Sequence, residues 1–221
     1  MKVERVAALD PAGVSRAAAR AAAALRAGGL VIHPTETVYG LGGDGSARSN
    51  ALVARLKGRA AERGLILLVS SVESARAHLP RLRWNEAAET LAERFWPGPL
   101  SIVVPCPDAP AGLAGPGGGV ALRATSDPVA RAILAEWGAP MTSTSANRTG
   151  EPPPRTAAEA ARLVEGRTEE DIVVCVVDAG PRTEAAPSTI VSLTGATPRV
   201  WREGPIPADE VVRALERTGR S

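Results

Sequence analysis

Two hydroxyl-rich segments and a few well-spaced cations are where this sequence could do chemistry. The first segment is His33-Pro34-Thr35-Glu36-Thr37-Val38-Tyr39-Gly40-Leu41-Gly42-Gly43-Asp44, which holds the only tyrosine and one of the two histidines. If residues 33–39 are extended, Thr35, Thr37 and Tyr39 share one face, with Glu36 and Val38 on the other. Hydroxyls on one face suit a polar ligand such as an amino acid or a ribose, although threonine and tyrosine are also good strand formers. The second segment, Met141-Thr142-Ser143-Thr144-Ser145-Ala146-Asn147, packs four hydroxyls before an asparagine. Such a run at a strand end offers hydroxyl and backbone N–H donors to phosphate oxygens. A plain Ser/Thr turn or helix cap would read the same way, as would Pro187-Ser188-Thr189.

The cations are unevenly placed. Residues 46–63 carry Arg48, Arg55, Lys57, Arg59 and Arg63 against Glu62 alone, a local field suited to phosphates. Of the 26 basic residues only Lys2 and Lys57 are lysines. An internal lysine in such a chain offers a compact point charge that a planar guanidinium cannot match. A helix C-terminus, however, welcomes any cation. Arg123 alternates with apolar neighbours in Val120-Ala121-Leu122-Arg123, and Arg202 follows a strand in Trp201-Arg202-Glu203-Gly204.

Several chemistries are disfavoured. Gly40 to Gly45 formally matches GxGxxG, but a dinucleotide site needs its glycines directly after the strand and an acidic residue about 20 positions on. Here Pro34 to Tyr39 intervene, and the later region is basic. There is no GxxxxGK[ST] phosphate loop and no GxSxG, and His33 and His78 are the only histidines, so a serine-hydrolase triad is not expected. Cys106 and Cys175 lie far apart without CxxC spacing, which argues against a zinc site or disulfide scaffold and fits a reducing cytosol. The first ten residues lack an apolar signal core, and no run approaches about 18 apolar residues, so a cytoplasmic protein without membrane contact is expected.

The elements that must position these residues follow from periodicity and punctuation. Helices are predicted from Asp10-Pro11 to residue 25 and over residues 46–57, 71–79, 84–95, 127–137, 156–165 and 207–217. Strands are predicted at 30–33, 65–69, 100–104, 120–124, 141–144, 172–178, 189–193 and 199–201. Residues 105–119, with four prolines and a glycine run, read as loop. Strands outnumber a simple βαβ alternation, which implies an α/β fold with a mixed sheet flanked by helices. The 221 residues suit one domain, with a core over about 10–206 and a short C-terminal helix.

Taken in order, seven segments resemble the YrdC/TsaC family, the threonylcarbamoyl-AMP synthases. They are PTETVYGLGGD (34–44), LKGR (56–59), FWPGPLSIVV (95–104), VALRA (120–124), STSANRTGEP (143–152), PSTIV (187–191) and WREG (201–204). The resemblance implies a twisted mixed β-sheet with flanking helices around a large basic cavity. It implies condensation of L-threonine, bicarbonate and ATP, with Mg²⁺ accompanying the ATP, into threonylcarbamoyl-AMP and pyrophosphate. Proteins of a threonylcarbamoyl-transferase complex would then carry the group to adenosine 37 of tRNA, and direct contact with tRNA or double-stranded RNA is a further expectation. Matched by motif, Thr35, Arg123 and Ser188 would hold threonine, with Tyr39 lining the pocket. Lys57, Arg59, Arg63, Ser143, Ser145, Asn147 and Arg202 would hold the nucleotide. No covalent nucleophile or general base is implied. Other uses of the fold are an RNA- or nucleotide-binding module and a carbamoyl-transfer domain. Relative to the family pattern, the 57–65 loop lacks two prolines and Arg63 stands for a lysine, while Pro153 stands for a serine. The 17 residues after Gly204 leave no room for the C-terminal domain of longer members.

Overall fold

A computed structural model describes residues 1–60, 63–167, 172–183 and 186–218. Ten strands form one sheet: β1 (Lys2–Ala7), β2 (Leu30–His33), β3 (Gly40–Gly42), β4 (Ile66–Leu68), β5 (Leu100–Pro105), β6 (Gly119–Arg123), β7 (Met141–Ser145), β8 (Val173–Asp178), β9 (Thr189–Ser192) and β10 (Arg199–Arg202). The order across the sheet is β1-β8-β2-β3-β7-β4-β6-β5-β9-β10. The pairs β1–β8, β2–β8, β4–β6 and β5–β9 are parallel and the others antiparallel, so the sheet is mixed as expected.

Seven helices cover it: α1 (Pro11–Arg26), α2 (Ala47–Lys57), α3 (Val72–His78), α4 (Glu86–Phe95), α5 (Pro128–Trp137), α6 (Ala157–Ala161) and α7 (Ala208–Thr218). Their starts are chemically marked. Asp10 caps α1 ahead of Pro11, and Asp127 accepts from the Val129 and Ala130 amides ahead of Pro128. Alternate residues of each central strand serve opposite layers. Leu30 and Ile32 of β2 join Val174 and Val176 of β8 in a core with residues of α2, α4, α6 and α7. Val31, Cys175 and Val177 point the other way, into a core built with α1 and α5.

Three differences from the sequence reading concern local order. β1 is a strand where none was foreseen, made by tertiary pairing with β8. β3 is a strand within the glycine-rich turn; a Cβ on Gly42 would lie 1.5 Å from the Thr142 carbonyl oxygen, so only glycine lets β3 approach β7. The α6 helix is shorter than the 156–165 span foreseen, although Thr156 and Glu159 form a full capping box at its start. In the loop after α2, where the sequence departs from the family pattern, residues 61 and 62 lie outside those described.

Candidate active site at the centre of the sheet

β7 is the seam of the molecule. It pairs with β3 on one side (Gly40↔Ser145, Leu41↔Thr144) and with β4 on the other (Ile66↔Ser143). Two cavities open along this seam. One, about 150 Å³, is lined by Arg59, Arg63, Ser143, Thr144 and Arg202 among others. The second, about 70 Å³, is lined by Thr35, Thr37, Arg123, Ser143, Ser145 and Ser188 among others. Ile66, Ser143, Thr144 and Arg202 line both, so the two are neighbours along the seam.

Thr35 and Thr37 reach the smaller cavity from a turn, not from an extended strand. β2 and β3 form a hairpin in which His33 pairs with Gly40, and residues 34–39 are its loop. Thr35 Oγ1 donates to the Val38 carbonyl at 2.7 Å and accepts from the Thr37 and Val38 amides. The Thr35 and Thr37 hydroxyls lie 2.9 Å apart. The side-chain cap of this turn is why the two hydroxyls converge although the strand geometry assumed for them is absent. Tyr39 turns away and does not line either cavity. Its ring is fully buried, its hydroxyl donates to the Gly180 carbonyl at 2.7 Å and accepts from the Ala179 amide, and Arg182 sits over the ring. Tyr39 thus braces the loop after β8.

Glu36, which the sequence reading had not singled out, is the counter-ion of Arg123. The two pair at 2.9 Å, with side chains 18% and 5% exposed respectively. Thr125 donates its hydroxyl to the same carboxylate. Burial alone would raise the Glu36 pKa, but the Arg123 charge and the Thr125 hydroxyl outweigh it and hold the carboxyl below its usual range. Arg123 also donates through Nε to the Gly98 carbonyl and through Nη2 to Thr37. These contacts fix the guanidinium while its outer edge faces the cavity. Ser188 is held from two sides, by the Ser101 hydroxyl at 2.9 Å and by Arg202, which donates to its carbonyl at 2.9 Å and its hydroxyl at 3.2 Å.

On the other side the charge is less balanced. Arg59 donates through Nη1 to Thr144 and through Nη2 to the Gly64 carbonyl, while its buried Nε has no partner among the described residues. Burial and the charge of Arg63 lower the Arg59 pKa; burial and Arg123 do the same to Arg202. Cations that destabilise one another this way favour an anionic ligand. Lys57 and Asn147 line neither cavity. Lys57, 4% exposed, donates its ammonium to the carbonyls of Ser145 and Asn147. Burial, then Arg59, lowers its pKa to about 8, with Glu151 opposing. Asn147 donates to the carbonyls of Arg148 and Glu151, closing the turn after β7. Both residues therefore shape the strand end that carries Ser143 and Ser145.

A family model for Sua5/YciO/YrdC, described as telomere recombination, matches residues 23–204. The chain belongs to this family. A Mycobacterium tuberculosis protein provisionally named threonylcarbamoyl-AMP synthase is 42% identical over 212 residues, covering 93% of this chain and 92% of its own. The Bacillus subtilis threonylcarbamoyl-AMP synthase is 36% identical over 205 residues, covering 87% of this chain and 55% of its own. Among solved structures, Pyrococcus abyssi Sua5 complexed with L-threonine is 32% identical with a TM-score of 0.79, covering 97% of this chain and 61% of that one. Escherichia coli YciO, at 22% identity and a TM-score of 0.74, shares the fold over 94% of this chain and 98% of its own. No helix among the described residues is long and apolar enough to cross a membrane.

Proposed function

We propose that this protein is a threonylcarbamoyl-AMP synthase, joining L-threonine, bicarbonate and ATP. The observation that carries the reading is that two chemically different cavities adjoin and share Ser143, Thr144 and Arg202 in their walls. The Arg123 side is a pocket of hydroxyls around a guanidinium paired with the Glu36 carboxylate, which suits a zwitterionic amino acid. The Arg59 and Arg63 side is cationic, with a guanidinium nitrogen that has no partner among the described residues, which suits a polyphosphate.

The threonine carboxylate is taken up by Arg123, whose orientation is fixed by Gly98 and Glu36, and Ser188 and Thr35 hold the rest of the amino acid. The threonine ammonium gives one proton to solvent; the free amine attacks the carbon of bicarbonate, a second nitrogen proton leaves with the hydroxyl as water, and a carbamate forms. A carbamate oxygen then attacks the α-phosphorus, the α–β bond breaks, and pyrophosphate leaves toward Arg59 and Arg63. Every reactant is anionic or zwitterionic. Catalysis therefore rests on bringing the three together and on fixed cations that offset their repulsion, without a covalent nucleophile. The donor set at the seam is arginine, serine and threonine, and no group of three or more acidic, His or Cys side chains occurs among the described residues. These residues do not form a magnesium cage, so Mg²⁺ would travel with the ATP phosphates and water. The product is a labile mixed anhydride, which fits a partner that passes the group on to tRNA.

The test is pyrophosphate release from ATP with threonine and bicarbonate omitted in turn. Release is expected only with all three. Turnover that ignores threonine would sink the reading and favour carbamoyl-transfer chemistry; nucleotide binding without turnover would favour a binding module.

A further inference from the structure

Trp201 has no part in the roles assigned above, yet it lines the cationic cavity beside Arg63 and Arg202. It is 48% exposed, and of the described residues only Leu9 and Val212 are large hydrophobic side chains left comparably open. Neither of those lines the two cavities.

Its position follows from a bulge. In the β9–β10 pair Val200 lies opposite Val191 and Arg202 opposite Ile190, so Trp201 is the extra residue on β10. Regular alternation would send Trp201 and Arg202 to opposite faces of the sheet. The bulge re-aims the strand, and both side chains reach one cavity. The same cavity is lined by the apolar Leu65, Val103 and Leu113 and by the cations Arg59 and Arg63. A half-exposed indole in a cavity lined by both apolar side chains and arginines matches a flat heteroaromatic ring that carries an anionic tail.

We infer that Trp201 is the stacking platform for the purine base of the nucleotide, with the phosphates running toward Arg59 and Ser143. The inference rests on the adenylate-forming reading and adds a residue that selects a nucleotide over a bare polyphosphate. Stacking uses the π-face every base has, so it raises affinity for the base without reading its edges.

The test is a titration of the full chain with ATP and, separately, with inorganic tripolyphosphate, by calorimetry and tryptophan fluorescence. Trp201→Ala is expected to weaken ATP binding about tenfold and leave tripolyphosphate binding unchanged. Wild-type tryptophan fluorescence is expected to be quenched by ATP; Trp201→Phe is expected to keep ATP affinity within about threefold, because a phenyl ring still stacks, while losing that quench. Wild-type ATP affinity in Trp201→Ala would overturn the platform alone. So would an equal loss of ATP and tripolyphosphate, which would show that the indole merely shapes the cavity. A wild-type protein that binds no ATP would overturn the adenylate reading, and the platform with it.

Discussion

Replacing Glu36 by glutamine tests whether the Arg123 guanidinium depends on its buried counter-charge. The pair is close, at 2.9 Å, and Arg123 is almost wholly enclosed. Two unit charges near 4 Å attract by about 4 kcal/mol at the effective dielectric of about 20 suited to such sites. Glutamine keeps the shape, can still accept from Thr125 or Arg123, and escapes the desolvation cost of a carboxylate. About half the attraction is thereby offset, leaving a loss of about 2 kcal/mol. In urea, with a slope of about 2 kcal/mol per molar, the midpoint should fall by about 1 M at pH 7. The pH dependence has a definite sign. Because the folded-state carboxyl titrates below its unfolded value, its stabilisation is complete above the ordinary glutamate range and is lost as pH falls through the depressed pKa. The two proteins should therefore converge in acid. Equal midpoints at pH 7, or a gap that persists unchanged in acid, would refute the argument.

Two other outcomes are expected. Arg123→Lys removes the fork that bonds Gly98, Thr37 and Glu36 at once; the KM for threonine should rise about tenfold while the KM for ATP stays within about twofold, in initial rates of pyrophosphate release. The opposite split would exchange the two cavities. Lys57→Met removes a lysine whose folded pKa of about 8 lies below its ordinary 10.5. The unfolded chain keeps that proton between the two values and the native chain releases it, so wild-type stability should gain on the variant by up to about 3 kcal/mol as pH rises from 8 to 10.5. Denaturant midpoints that stay parallel across this window would contradict it.

The central strands and most helices were legible because their apolar periods and caps are local signals. Asp127-Pro128 announces α5, and Ser46 and Gly58 bracket α2. β1 and β3 were not legible, because neither a Lys-Val-Glu-Arg segment nor Gly-Leu-Gly has intrinsic strand preference; only their neighbours make them strands. The site divides the same way. Thr35, Arg123, Ser188, Arg59, Arg63, Ser143, Ser145 and Arg202 line the two cavities at the seam. Tyr39, Lys57 and Asn147 belong to the same motifs but brace it from outside, since motif membership does not say which way a side chain points. Glu36 escaped notice because its partner Arg123 is remote in sequence. The only local hint was an acid set between two threonines.

The pairing of Lys2 with Val173 has a consequence for how the chain is made. β1 is synthesised long before β8, its one partner in the sheet among the described residues, so it must wait unpaired while the intervening chain is made. At 5–20 residues per second that wait is roughly 10–30 s, long enough for a bare strand edge to capture another chain. Lys2, Glu4 and Arg5 place charge at three of the six positions of this strand. Residues that look like a poor strand in isolation are thus what allows it to be a late one.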